Sequence, residues 1–114
     1  MNLLSGDGTN WRDSPYGRGA MVATQPGFEI FWIYKEQEAV DSNLITMDVD
    51  DIILVLQGGL KLELHGDDPK DPVLGPGDVF VIPAGMPFRG YRYPRDQIEP
   101  TIFIAIYGRK ESPA

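Results

Sequence analysis

Residues 75–90 read "GPGDVFVIPAGMPFRG". A strand-like run, "DVFVI", meets a proline–glycine corner, "PAGMP", and the apolar ring of Phe88 follows. Pro83 fixes φ where the strand ends, and Gly77 and Gly85 allow tight turns on either side. This is the pattern of a chain rounding the rim of a barrel. It raises a question: why is the residue after the corner a phenyl ring and not a chemically active side chain?

The rest of the chain continues in the same manner. Strand-like runs occupy 20–25 ("AMVATQ"), 27–35 ("GFEIFWIYK"), 44–49 ("LITMDV"), 51–57 ("DIILVLQ"), 60–65 ("LKLELH"), 78–83 ("DVFVIP"), 87–93 ("PFRGYRY") and 101–107 ("TIFIAIY"). Turn signals separate them, drawn from 13 glycines and 10 prolines, and no stretch keeps a helical period. Eight or nine short strands predict an all-β antiparallel sandwich or barrel. Residues 1–19 read as an irregular arm, with Trp11 and Tyr16 as anchors. Residues 35–43 read as a turn or one short helical turn, 66–72 as a loop, and 108–114 as a frayed tail.

The 114 residues suit one domain, 1–114, and the 42% hydrophobic and 24% charged content is that of a globular chain. A formal charge of −7 disfavours binding to nucleic acid. The absence of cysteine removes disulfides, thiolate metal sites and thiol nucleophiles. No apolar run reaches the roughly 20 residues of a membrane span, and the first residues lack a signal-peptide pattern. The expectation is a soluble, cytoplasmic protein with no membrane partner.

Side-chain alternation carries a second message. In 60–65, Leu60, Leu62 and Leu64 share one face while Lys61, Glu63 and His65 share the other, so one face is wet. In 28–34 and 51–57 both faces are apolar: Phe28, Ile30 and Trp32 oppose Phe31 and Ile33. A small antiparallel domain does not bury both faces of two strands alone. A second copy of the chain is the expected cover, a homodimer, with the N-terminal arm as the alternative.

These residues point to a family. "GDVFVIPAGMPF" resembles the second motif of the cupin superfamily, with Gly77, Pro83 and Gly85 at the family's spacing. Phe88 stands at that motif's histidine, and Arg92 stands where the family has asparagine. "DIILVLQG" resembles the second half of the first cupin motif, with Asp51 at its glutamate and Gly58 closing the strand. Counting back places Ile45 and Met47 at its two histidines. The resemblance covers residues 42–93. It implies a double-sheet jelly-roll barrel and a site inside it.

The resemblance also implies that a metal cage has been lost. Cupin metal sites typically use three histidines and a carboxylate, whereas this chain has one histidine in total, His65, on the wet face. Asp51 alone among the four positions carries a transition-metal ligand. The acidic runs "DVDD" (48–51) and "GDD" (66–68) lack the spacing of a calcium loop and suit solvated turns. The expectation is therefore no metal and no cofactor.

In a barrel, strand parity points Ile45, Met47, Asp51, Ile53 and Val55 inward, together with Phe88, Gly90 and Arg92. Arg89, Tyr91 and Tyr93 take the opposite face. Apolar walls with one acid and one base are the usual make-up of a small-molecule site. Ile45, Met47, Ile53, Phe88 and Arg92 are the candidate ligand-binding residues, with Arg92 placed to clamp an anion. Asp51, desolvated by its neighbours, is the candidate general base. Tyr34, Tyr91 or Tyr93 would then be the acid. Plainer readings stand beside these: Asp51 and Arg92 simply pair, and Met47 and Phe88 simply fill the core.

Two functions of different class follow. One is a metal-independent cupin-like protein that binds a small, partly apolar, anionic molecule inside the barrel. The other is a metal-free isomerase, epimerase, cyclase or lyase using Asp51 for proton transfer. A structural dimer module without ligand is a third. No nucleophile triad, phosphate loop or dinucleotide fingerprint is present.

Overall fold

The computed structural model describes residues 12–14, 17–35, 43–67, 70–94 and 96–108. Among these residues nine strands form: β1 (Arg12–Ser14), β2 (Gly17–Gln25), β3 (Phe28–Lys35), β4 (Asp51–Gln57), β5 (Leu60–Leu64), β6 (Val73–Leu74), β7 (Val79–Ile82), β8 (Phe88–Arg92) and β9 (Thr101–Gly108). They make two antiparallel sheets. One is six-stranded, in the order β1-β2-β3-β9-β4-β7, and the other three-stranded, in the order β6-β5-β8. No helix among the described residues is long and apolar enough to cross a membrane.

The two apolar faces of β3 and β4 become the inner and outer faces of the large sheet. β9 runs between them, so both are central strands. The register places Ile82, Asp51, Tyr107 and Glu29 in one cross-strand row, and Phe80, Ile53, Ala105 and Phe31 in the next inward-facing one. Val55, Phe103 and Ile33 continue that face. Phe31 and Tyr107 meet ring to ring at 5.3 Å. The intervening rows, Val81-Ile52-Ile106-Ile30 and Val79-Leu54-Ile104-Trp32, face outward.

The small sheet supplies the opposite wall. Leu60, Leu62 and Leu64 are buried, as the alternation predicts, and Gly90 and Phe88 lie directly across from Leu62 and Leu64 on β8. Burying each leucine contributes roughly 1.5–3 kcal/mol. On the wet face of the same two strands, Glu63 and Arg89 form an ion pair, and the Lys61 ammonium lies 5.3 Å from the centre of the Tyr93 ring. His65 is exposed.

Three expectations need correction. Part of the arm read as irregular is sheet: β1 pairs with the start of β2, Arg12 opposite Gly19. Trp11 and Tyr16 lie outside the described residues, as do 36–42 and 109–114. The run 44–49 is not a strand. Ile45 alone bridges to Phe88 in ladder fashion, while Met47 and Asp50 bond to the corner residues Gly85 and Ala84, which are in a turn and extend no ladder. Finally, β6 is a two-residue strand that periodicity does not reveal; it pairs Leu74 with Leu60.

The corner between β4 and β5 is closed by side chains. The Gly59 N–H donates to Gln97 Oε1 at 3.3 Å, and Gln97 Nε2 donates to Thr101 Oγ1 at 2.7 Å. Thr101 Oγ1 in turn donates to the Gly59 carbonyl at 2.6 Å. This ring of three bonds satisfies buried polar groups at one end of the barrel.

Candidate functional site

The quoted corner explains how the site assembles. Gly85 has φ of +83°, a conformation that favours glycine. It turns the chain so that the Gly85 N–H donates to the Met47 carbonyl at 2.8 Å and the Ala84 N–H to Asp50 Oδ1 at 2.9 Å. Ile45 and Phe88 then exchange a pair of backbone bonds at 2.7 and 2.8 Å. The segment before β4 is thereby fastened to the segment before β8. Residues 45, 47, 51 and 88 converge because their backbones are tied together at that rim.

They converge on a cavity between the sheets that opens to solvent at its mouth. Ile45, Met47, Asp51, Ile53, Phe88 and Gly90 all line it. No bulge in β8 reverses the inward face. Val55 is fully buried in the core beside the cavity and does not line it.

Arg92 departs from expectation. It is buried on the inner side of β8, opposite Leu60, but it does not line the cavity. It sits four residues beyond Phe88, at the far end of the strand, where Leu60 and Leu62 stand along the wall. Nor does it pair with Asp51. Asp51 Oδ1 is buried and accepts no hydrogen bond from any described residue. Asp51 is 3% exposed, and burial pushes its carboxyl up from its ordinary 3.8 to about 7. The acid predicted for the site is thus present, and the base predicted to neutralise it is elsewhere.

Two polar lining residues escaped the sequence reading. Lys35, at the end of β3, is 8% exposed and lines the cavity. Tyr107, opposite Asp51 on β9, lines it as well. Parity held the signal for both: Lys35 is two residues past Ile33, and Tyr107 two past Ala105. The tyrosines named from sequence, Tyr34, Tyr91 and Tyr93, do not line the cavity.

The donor set of the four motif positions does not fit a resident transition metal. Ile45 and Phe88 offer hydrocarbon, Met47 a thioether and Asp51 one carboxylate. Among the described residues, no group of three or more His, Cys, Asp or Glu side chains is placed to hold an ion.

No family model matches the chain, and no curated protein does. Solved structures do. KdgF from Halomonas sp. superposes with a TM-score of 0.71 at 25% identity, over 89% of this chain and 88% of its own. A putative mannose-6-phosphate isomerase from Ralstonia eutropha JMP134 gives 0.74 at 21% identity, over 96% and 97%. An RmlC-like cupin from Shewanella frigidimarina NCIMB 400 gives 0.71 at 15% identity, over 91% and 86%. The structural neighbours are cupin-superfamily proteins, and the fold of this chain is the all-β, two-sheet jelly-roll barrel that the resemblance at 42–93 implies.

Proposed function

We propose that this chain is a cupin-like binding protein that takes a small, partly apolar, anionic molecule into its barrel without a bound metal. One observation carries the reading. The residues at the motif positions line a cavity whose walls are hydrocarbon and whose polar groups are few: Lys35, Asp51 and Tyr107. That is the composition of a small-molecule site. Lys35 takes the anion-binding part that the sequence assigned to Arg92. The resemblance sets Ile45, Met47 and Phe88 at the family's histidine positions, and this supports metal independence, because those side chains exclude water and coordinate weakly or not at all.

The test is thermal denaturation of EDTA-treated protein against a panel of small carboxylic acids and phenolics, with elemental analysis of the protein as purified. At least one compound class should raise the melting temperature, and EDTA should leave that shift intact. Stoichiometric iron, manganese, nickel or zinc, or a panel without any shift, would overturn the reading.

A second reading has its own observation. A carboxyl with pKa about 7, facing a phenol across the β4–β9 ladder, suits proton transfer near neutral pH. The reaction would be a metal-free isomerisation, epimerisation, cyclisation or elimination, with Asp51 as base and Tyr107 in the place first given to other tyrosines. Once a turned-over substrate is in hand, Asp51→Asn separates the two: binding kept and turnover lost favours the enzyme.

A second copy of the chain is part of the proposal. Val79 and Val81 on the outer face of β7 are 59% and 51% exposed, and Ile52, Leu54, Ile104 and Ile106 on the same face are only half-buried. A dimer would cover this surface.

A further inference from the structure

The two charged residues of the cavity come from opposite ends of the barrel. Lys35 stands opposite Thr101 of β9, and Asp51 opposite Tyr107 of the same strand. Those rows are six residue steps apart along β9, about 20 Å of extended backbone. Both side chains nevertheless line one cavity. Between them the walls are Ile33, Ile53, Leu62 and Phe103. Gly90 lies among them, and a Cβ there would stand 3.0 Å from Leu62 Cδ2, so the wall is kept low by the absence of a side chain. The cavity is charged at each end and apolar along its length.

Each end has a chemical preference. Lys35 is the one cation among the lining residues and Asp51 the one acid, so the lining balances to zero charge at full ionisation. A single ammonium suits a monoanion. A phosphate dianion calls for several donors, such as an arginine fork or a row of backbone N–H groups. At the other end, Asp51 Oδ1 is a buried acceptor with no donor among the described residues. Such an atom gains when a ligand donor reaches it. A hydroxyl serves whichever way the carboxyl is protonated, because it donates to the ionised form and accepts from the neutral one. An ammonium serves only the ionised form, which burial disfavours here.

We infer that the ligand is an elongated hydroxy acid, with its carboxylate toward Lys35, its hydroxyl toward Asp51 Oδ1, and an apolar chain or ring between. This rests on the binding reading above and specifies its ligand class.

The experiment is calorimetric titration of the whole chain with three matched probes: para-hydroxyphenylpropanoate, phenylpropanoate and para-hydroxyphenylpropanol. The first should bind at least about tenfold more tightly than either of the others. Lys35→Met should erase the difference between acid and alcohol and leave the hydroxyl preference. Asp51→Leu should do the reverse. The wild-type comparison decides by itself if either variant fails to fold. Equal binding of all three probes, or tighter binding of a para-aminomethyl analogue, would overturn the hydroxy-acid assignment while leaving a cavity that binds. No binding by any probe, combined with no thermal shift across the wider acid and phenolic panel, would sink the binding reading itself.

Discussion

Lys35 and Asp51 reach one cavity from opposite ends of the barrel because both sit beside β9, the first across from Thr101 and the second across from Tyr107. β9 therefore sets the spacing of the site's polar groups, although it contributes no charge of its own. The consequences of this arrangement can be measured.

Asp51 should give the protein a distinctive pH dependence. Its folded-state pKa is about 7 against an ordinary 3.8, so between those values the folded chain holds more protons than the unfolded one. Stability then falls as pH rises from about 4 to about 7 and levels off above, by at most about 4 kcal/mol for this group. Urea denaturation across that range should show the decline in wild type relative to Asp51→Asn. The variant should be the more stable of the two at pH 8. Equal slopes in the two proteins would contradict a carboxyl raised by burial.

Two glycines should respond differently to alanine. A Cβ on Gly59 would fall 2.0 Å from the Tyr93 carbonyl oxygen, with no space to yield. Gly59→Ala should cost more than about 4 kcal/mol or prevent folding. Gly85 has nothing within 4 Å of its Cβ position and suffers only from its positive φ. Gly85→Ala should cost roughly 1–2 kcal/mol. Chemical denaturation of both variants decides it, and similar losses would refute the contrast.

Thr101 has no exposed surface and both accepts from Gln97 and donates to Gly59. Thr101→Val keeps the shape and removes the hydroxyl, leaving the Gln97 amide short of a partner. The expected loss is about 1–3 kcal/mol. A Gln97→Leu change in the same background should add little, since the two residues act through one ring of bonds.

The outer face of the large sheet should hold the dimer together. Light scattering coupled to size exclusion should report a dimer for wild type and a monomer for the Val79→Lys, Val81→Lys double variant. The thermal stability of the monomer should be reduced and its far-ultraviolet spectrum kept. A wild-type monomer at micromolar concentration would remove the second copy from the proposal.

Much of this site was readable along the chain. Strict alternation put Ile53 and Asp51 on one side of β4, and the glycine–proline spacing of 77–85 brought Phe88 to the rim beside Ile45. Arg92 shows where parity stops. It tells which face a residue shares and not how far along the barrel the cavity extends, so a residue on the correct face missed the site. The same parity held Lys35 and Tyr107, but they entered only once β9 was seen to lie between β3 and β4.

The covalent chain alone determined the longer strands and the face of their side chains, because backbone pleat and glycine or proline geometry act within a few residues; the short β1 and β6, and the bridge at Ile45 in place of a strand, were set by their partners. Which strands became neighbours, and hence that an acid from residue 51 shares a cavity with an amine from residue 35 and not with the guanidinium at 92, was decided only in three dimensions. Sheet order and register come from the burial of whole surfaces against each other, and no local pattern encodes the depth at which two such surfaces close.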